Sequence, residues 1–595
     1  MKNLKSQRIF DSREVKVTDS KSKKIGYFAT LLVVLGSSIG SGIFFKSGSV
    51  MGNLQNNIAM SLISWVVAAL TVMAMAIALV DVAAQSKKDD RGLLGWTKRF
   101  TGLFLYRSSK NIYCFFTLPI KFFGLPVYFF QSLQSALAFV GAHWVGSMTD
   151  GHVVLSQFGE NVCNIQWWVI LIVVFVLDVW FIVINGISLK VGINTNKIIM
   201  YVKFIPLAFA LIIGFVVIGV NQHLPVDNHW WTDFKAPAVS YANNVVHPKT
   251  LAMFSPAIGL LLSLAAIFFA YDGFYVAAGV QKQMKEPKKI SSALLFGLLS
   301  VTVIYLSVAL SLTLGADGGK WQDISYFFCK HNVSWIYCVM ALLVSFGILG
   351  IINGYSMWAT RLYNTLIKDD EIIFSKWLKK IRDPWSGIVF ILTFAIVIVI
   401  TFTIIGALAF NIGKNTTVVG KYYLSSHVSN MYNFCNLVTN WQTIFTFTFI
   451  VLSIIASTDR KIKNKTQKKT KKIVAEIVAG IFSSTVIMLA LAFQIIQPFV
   501  NLALMVTANN ARPAGVAPAP IASNIALIAV LAFAASVCFI PSVFEWLNKK
   551  NRLVYKLEND LQTLTLKLEN LKDKREDLIA KQTKMQPELQ PTLVE

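Results

Sequence analysis

Charged residues are scarce in this sequence. Only 14% of its 595 residues are Asp, Glu, Lys or Arg, whereas 55% are hydrophobic and the mean hydropathy is +0.58. Soluble domains carry about 25% charged residues, because their surfaces contact water. The composition therefore excludes a soluble globular protein and indicates that lipid surrounds much of the chain.

Signatures of catalysis and of ATP use are also missing. The six cysteines and seven histidines have no spacing typical of metal ligands, so we expect neither a metal site nor a cofactor. No P-loop pattern occurs, which disfavours an ATP-driven pump, and the N-terminus lacks the cleavage pattern of a signal peptide. An enzyme is therefore a disfavoured interpretation, and the first apolar segment is expected to serve as the insertion signal.

Long apolar runs are what the sequence has in abundance. A membrane-spanning helix needs about 20 apolar residues. Continuous runs of this length predict an all-α integral membrane protein, because barrel strands would give short alternating stretches. The twelve predicted spans are residues 26–52, 57–86, 112–142, 166–187, 197–220, 256–281, 291–315, 334–365, 386–411, 434–457, 473–500 and 523–547.

The net charge of +25 is concentrated in alternate gaps between these spans. Lys and Arg cluster in residues 1–24, 87–110, 282–289, 361–382 and 460–472, whereas residues 142–166 contain neither. The positive-inside rule then predicts a multi-pass protein of the plasma membrane with both termini in the cytoplasm. This basicity reports topology and contact with anionic lipid headgroups, so no nucleic-acid partner is expected.

The chain divides into five predicted regions. A basic cytoplasmic segment (1–24) precedes a core of ten helices (25–457). A basic cytoplasmic loop (458–472), helices eleven and twelve (473–547) and a cytoplasmic tail (548–595) follow.

Two segments outside the spans have amphipathic patterns. Between spans two and three, Leu93, Trp96 and Phe100 alternate with Lys98 and Arg99, which predicts a helix in the cytoplasmic interface or, alternatively, an ordinary basic loop. In the tail, a leucine spacing of three and four residues predicts a coiled-coil-like helix over 554–578. That helix could form a homodimer, bind a partner or pack on the loops. Its leucines are Leu557, Leu561, Leu564, Leu568, Leu571 and Leu578.

Two spans contain residues that weaken a membrane helix. Three glycines and three serines occupy residues 36–42 in the first span, and Asp272 lies beside Gly273 in the sixth. Close helix packing at Gly36 and Gly40, or an ion pair at Asp272, are alternative explanations. Broken helices in corresponding positions of two repeats are typical of secondary transporters, whose substrate binds at the unwound backbone. Free amides there suit a carboxylate and free carbonyls suit an ammonium group.

Several short motifs resemble a known family. Gly40-Ser41-Gly42-Ile43-Phe44 matches its first-helix motif, and Phe269-Ala270-Tyr271-Asp272-Gly273 matches its sixth-helix motif. Residues 284–289, 185–192 and 203–207 resemble further family patterns in the expected order. The chain is therefore similar to amino acid permeases of the amino acid, polyamine and organocation (APC) superfamily.

The resemblance implies a five-plus-five inverted repeat with broken helices one and six, the fold of the sodium-coupled leucine transporter. It also implies a substrate site made of Ser38, Ile39, Gly40, Ser41 and Gly42 in the first helix and residues 269–273 in the sixth. The amides of Ser41 and Gly42 would bind the carboxylate of an amino acid. Carbonyls of Ser38, Ile39, Phe269 and Asp272 would face its amino group.

The resemblance assigns a role to Lys203 in the fifth helix. A lysine at this position takes the place of a sodium ion against the first helix, which implies sodium-independent transport. Lys203 could carry a coupled proton or could be a fixed structural cation.

Counting along the spans gives one further prediction. Lys121 and Asp178 lie at similar depths in spans three and four, so we expect an intramembrane ion pair between them. The favoured function is secondary transport of amino acids. Transport of amines or polyamines through Asp272, or a scaffold role of the tail, are the alternatives. The identity of the amino acid and the choice among exchange, proton symport and facilitated diffusion stay open.

Overall fold

Helices make up most of the described structure. The computed structural model describes residues 27, 31, 40, 42–85, 91–146, 152–225, 228–231, 239, 246, 249–275, 290–372, 374–410, 418–419, 422–463, 471–547, 557, 560–561, 564, 568, 571 and 575. The α-helices are α1 (Gly42–Asn53), α2 (Ile58–Gln85), α3 (Leu93–Phe100), α4 (Leu103–Ile112), α5 (Leu118–Ala138), α6 (Gln157–Cys163), α7 (Trp167–Ile187), α8 (Leu189–Asn221), α9 (Pro256–Tyr271), α10 (Ile290–Gly315), α11 (Ile324–Lys330), α12 (Ser334–Lys368), α13 (Ser375–Leu378), α14 (Trp385–Ile404), α15 (Ser426–Lys463), α16 (Lys471–Asn510) and α17 (Ala522–Leu547).

Other regular structure is minor. Two π-helical turns, Tyr113–Thr117 and Ile405–Ala409, join α4 to α5 and extend α14. Short 3₁₀ turns cover Leu251–Phe254, Asp317–Gly319 and Trp321–Asp323. Two small antiparallel hairpins pair β1 (His143–Val145) with β2 (His152–Val154), and β3 (Val418–Val419) with β4 (Tyr422–Tyr423). The prediction of an all-α fold is confirmed.

Ten stretches of the described chain are long and apolar enough to cross a membrane. They correspond to predicted spans two to five and seven to twelve. Within the described residues, spans one and six, where we predicted interruptions, contribute the shorter helices α1, of 12 residues, and α9, of 16 residues. The count of about twelve spans with two discontinuous members therefore agrees with the structure.

One face of α7 shows how the apolar surface is used. Trp168, Ile172, Val176 and Trp180 are each more than half exposed and recur every fourth residue. Side chains with this spacing lie on one side of a helix. Such an exposed stripe is unfavourable in water but suits contact with lipid, so α7 lies at the periphery of the membrane domain.

The segment between spans two and three is helical, as predicted, but its apolar face does not lie in the lipid interface. Leu93, Leu94, Trp96 and Phe100 are buried, and α3 packs against α15. An amphipathic pattern predicts that a helix has an apolar face, but it cannot tell whether protein or lipid covers that face.

Glu371 organises the charged side chains at the end of α12. It accepts hydrogen bonds from Arg91 at 3.0 Å, Lys98 at 2.7 Å and the Tyr106 hydroxyl, while Arg91 also reaches Asp369 at 3.5 Å. Burial raises the pKa of the Glu371 carboxyl, but the hydrogen bonds from Lys98 and Tyr106 and the nearby cations outweigh it, so the pKa is lowered from its usual value. The carboxylate thus ties α3 and α4 to the loop after α12.

The described leucines of the tail are helical and exposed. Leu557, Leu561, Leu564, Leu568 and Leu571 each expose more than half of their surface within the single chain. This exposure disfavours the alternative in which the tail packs its leucines on the loops. Leu578 lies outside the described residues.

Candidate functional site

The sixth span is interrupted where the sequence predicted it. Helix α9 ends at Tyr271, and Asp272 adopts an extended conformation with φ −61° and ψ 131°. Gly273 follows with φ 112°, in a region that residues with a side chain rarely adopt. Helical geometry resumes at Phe274 and Tyr275. The glycine therefore permits a break in a segment that is otherwise strongly apolar.

The described part of the first span is compatible with a second break. Gly40 lies in a bend, and α1 begins at Gly42. Of the predicted site residues, Ser38, Ile39 and Ser41 lie outside the described residues.

The two interruptions lie against each other. A Cβ atom built on Gly42 would lie 2.4 Å from the Cα atom of Ala270, so only glycine allows this approach of α1 to the end of α9. A Cβ atom on Gly40 would lie 2.9 Å from the side chain of Ile351 on α12. Close packing thus requires Gly42, which meets backbone, whereas a side chain at Gly40 would only have to displace the end of the Ile351 side chain. The contact at Gly42 brings the start of α1 to the end of α9.

A small cavity of about 30 Å³ lies at this junction. A space of this size accommodates about one water molecule and is smaller than an amino acid. Substrate entry therefore requires the surrounding helices or side chains to move. The lining residues are Gly40, Gly42, Lys121, Leu125, Phe269, Ala270, Asp272, Ile351, Tyr355, Thr439 and Gln442.

An ion pair inside the cavity wall connects α5 to the break in the sixth span. The Lys121 ammonium donates a hydrogen bond to Asp272 Oδ2 and another, of 2.8 Å, to the Tyr355 hydroxyl. Gln442 donates to the same carboxylate oxygen at 3.3 Å. Asp272 Oδ1 is buried and has no hydrogen-bond partner among the described residues.

The predicted ion pair between Lys121 and Asp178 is wrong. Lys121 pairs with Asp272, and neither carboxylate oxygen of Asp178 has a hydrogen-bond partner in the part of the chain that the structure describes. Counting residues along two spans gives their depth but not the direction in which each side chain points around its helix. Asp178 nevertheless lies buried on α7.

A second buried lysine, which sequence reasoning missed, lies one turn along α1 from Gly42. The Lys46 ammonium donates to Asn436 O at 2.7 Å, Asn436 Oδ1 at 2.9 Å and Thr439 Oγ1 at 3.0 Å. It also lies 4.6 Å from the centre of the Phe269 ring, a cation–π contact. No carboxylate within the described residues pairs with it. A lysine inside a predicted span was the signal that could have identified it.

One face of α15 links the two lysines. Asn436, Thr439 and Gln442 are spaced by three residues and lie on one side of the helix. Asn436 and Thr439 contact Lys46, and Gln442 contacts Asp272. Nothing in the sequence distinguishes these three from other polar residues of α15, so only the packing reveals this row.

The other predicted residues of the sixth span have mainly structural contacts. The Tyr305 hydroxyl donates to the Ala270 carbonyl at 2.9 Å, and the Tyr271 hydroxyl donates to Thr302 at 3.2 Å. The Asp272 amide donates to the Phe269 carbonyl at 3.3 Å. The bonds to the Ala270 and Phe269 carbonyls satisfy backbone groups at the end of the broken helix, whereas the bond between Tyr271 and Thr302 joins two side chains.

Lys203 lies on α8, away from the cavity lining. The Cβ atom of Lys203 would be 3.1 Å from a Cβ atom built on Gly347, so the lysine lies beside α12.

Within the described residues, no group of three or more His, Cys, Asp or Glu side chains forms a potential metal site.

Comparison with known proteins identifies the family of the chain. A family model described as amino acid permease matches residues 25–543. An uncharacterized protein of Mycoplasma pneumoniae is 32% identical over 554 residues, which are 88% of this chain and 94% of that protein. The serine/threonine exchanger SteT of Bacillus subtilis is 24% identical, over 63% of this chain and 76% of its own. The b(0,+)-type amino acid transporter 1 of Oryctolagus cuniculus is 21% identical, over 60% of this chain and 65% of its own.

The family match covers most of the chain, including both interrupted spans and all ten long apolar stretches. It identifies a multi-pass membrane protein that acts as a secondary transporter and not as an enzyme. The chain therefore belongs to the amino acid permease family.

Proposed function

We propose that this protein transports amino acids by alternating access through the junction of α1 and α9. The observation that carries the proposal is the contact of Gly42 with Ala270, which joins two helix ends inside the membrane domain. Amides at Ser41 and Gly42 would bind the substrate carboxylate. Carbonyls of Ser38, Ile39, Phe269 and Asp272 would face the amino group.

The charges at the cavity favour an amino acid over an amine or a polyamine. Asp272 is the carboxylate that an amine would need, but Lys121 already pairs with it. A zwitterion brings its own carboxylate and ammonium, so it can use the ends of two half-helices without an unpaired protein charge. The relatives described as a serine/threonine exchanger and an amino acid transporter support the same substrate class.

We propose further that transport is independent of sodium and that Lys203 substitutes for the ion. Transport measured with sodium replaced by choline should then be unchanged. A requirement for sodium would contradict this part of the proposal while leaving the substrate class intact. Two conditions separate exchange from proton symport. Unlabelled amino acid inside the vesicles should stimulate uptake by an exchanger, and an imposed pH gradient should stimulate uptake by a proton symporter.

Uptake by the purified protein in liposomes tests the main proposal. Radiolabelled L-serine should accumulate, and ethanolamine, its decarboxylated analogue, should neither accumulate nor compete. Gly42→Leu should abolish uptake, because a side chain there would overlap Ala270. Gly219→Leu is the matched control, since nothing lies within 4 Å of a Cβ atom at that position of α8.

Two outcomes would contradict the proposal. Uptake of ethanolamine without uptake of any of the twenty amino acids would favour the amine transporter. Wild-type uptake by Gly42→Leu would remove the junction from the transport route.

We also propose that the protein lies in the plasma membrane with cytoplasmic termini and that its basic loops contact anionic headgroups. The exposed leucines between residues 554 and 578 would then pair with a second copy of the chain. Light scattering of the detergent-solubilised protein should show a dimer that becomes a monomer when the tail is removed. A monomer in both cases would favour a different partner.

A further inference from the structure

Among the described residues, the cavity wall contains one cation and one anion, and they neutralise each other. Lys121 and Asp272 both line the cavity, and their side chains are 3% and 5% exposed. The other lining residues, such as Leu125, Ile351 and Gln442, are uncharged. The space next to the broken helix therefore has no net charge from its lining side chains.

Two polar groups and one aromatic ring hold the Lys121 ammonium in place. Its ammonium donates to Asp272 and to the Tyr355 hydroxyl, and it lies 4.0 Å from the centre of the Tyr355 ring. Asp272 Oδ2 also accepts from Gln442, whereas Oδ1 is buried without a hydrogen-bond partner among the described residues. Without Lys121, the carboxylate would present an unneutralised charge and an unused acceptor to the cavity.

We propose that Lys121 determines specificity: it is an internal counter-ion that reserves Asp272 and restricts the site to amino acids with uncharged side chains. A cationic side chain would meet the Lys121 ammonium, and like charges in a site with little water repel strongly. An acidic side chain would meet Asp272. This inference rests on the proposed function, because it concerns the same site.

Replacement of Lys121 should therefore change which amino acids are transported. L-lysine and L-norleucine are suitable probes, because they differ only by the terminal ammonium group. The wild-type protein should prefer norleucine to lysine by about tenfold or more. Lys121→Gln should reverse the preference, since the freed Asp272 attracts the lysine side chain.

Two control variants isolate the charge. Lys121→Arg retains a cation beside Asp272 and should retain the preference for norleucine. The double variant Lys121→Gln, Asp272→Asn removes both charges and should also prefer norleucine. A double variant that prefers lysine would show that the space left by Lys121, and not the charge of Asp272, admits the substrate, and this would overturn the inference.

Thermal unfolding supplies a readout independent of transport. Lysine should raise the unfolding temperature of Lys121→Gln but not that of the wild type, because the ligand supplies the missing cation. An unchanged preference in Lys121→Gln would overturn the inference and leave the proposed function standing. If this variant does not accumulate in the membrane, the wild type decides: equal uptake of lysine and norleucine overturns the inference. Failure of the wild type to bind or transport any amino acid would instead contradict the proposed function.

Discussion

Two buried lysines at or near the candidate site are accommodated in different ways. Lys121 meets a carboxylate, Asp272, whereas Lys46 meets two oxygens of Asn436 and the hydroxyl of Thr439. In the first region the charges cancel, so removing one leaves the other exposed to a low dielectric. In the second region neutral acceptors solvate the cation, so its removal leaves only uncharged groups. The comparison shows that two lysines of similar burial can differ in the charge of their partners, and therefore in the cost of removing the lysine.

The largest effect is expected for Lys121→Met. This variant leaves Asp272 buried without its cation, and the unfolding free energy should fall by about 3–5 kcal/mol. Adding Asp272→Asn should recover most of the loss, because no unpaired charge remains. Thermal unfolding in detergent measures both variants. A double variant no more stable than Lys121→Met would mean that packing, and not charge, stabilises this region.

A smaller loss is expected for Lys46→Met. The substitution leaves the Asn436 and Thr439 oxygens with one donor fewer, at a cost of about 1–3 kcal/mol. Tyr128, which donates to Asn436 Oδ1 at 2.8 Å, satisfies part of the deficit. The same unfolding assay tests this prediction. A loss as large as that of Lys121→Met would abolish the contrast between the two regions.

Asp178 provides a third type of buried ionisable group, because neither of its oxygens has a hydrogen-bond partner among the described residues. Asp178→Leu should therefore stabilise the protein by about 1 kcal/mol, since it replaces a buried polar group by an apolar one. Asp272→Leu, which leaves Lys121 without its carboxylate, is the matched comparison and should destabilise. A loss of stability in Asp178→Leu would show that the carboxyl group has a stabilising partner.

The smallest effect is expected at Glu371, in the loop after α12, where its side chain and those of Arg91 and Lys98 are 16%, 17% and 33% exposed. Its lowered pKa means that the ionised form stabilises the folded state above the usual value of 4.5, and that this stability is lost as the pH falls through the lowered value. Glu371→Gln should cost less than about 1 kcal/mol at pH 7 and should reduce the loss of stability below pH 4.5. Unfolding temperatures measured from pH 7 to pH 4 test this. Parallel pH profiles for variant and wild type would contradict it.

The sequence was informative where a local rule determines structure. Gly273 beside an acidic residue in an apolar span predicted the end of α9, because glycine tolerates the positive φ that the break requires. The predicted Lys121–Asp178 ion pair was wrong because depth along a helix does not determine the direction of a side chain. Lys46 was overlooked within an apolar run, although a lysine there is unusual. Gln442 and Tyr355 became recognisable only when packing brought four helices together.

The polar row on α15 has a mechanical consequence. One helix face holds the lysine of α1 at Asn436 and touches the carboxylate after α9 at Gln442, six residues farther on. Because a helix moves as a stiff rod, a tilt of α15 cannot loosen one of these contacts without displacing the other. The start of α1 and the segment after α9 would then move together. Opening a passage between them would therefore also change the position of Asp272 relative to Lys121.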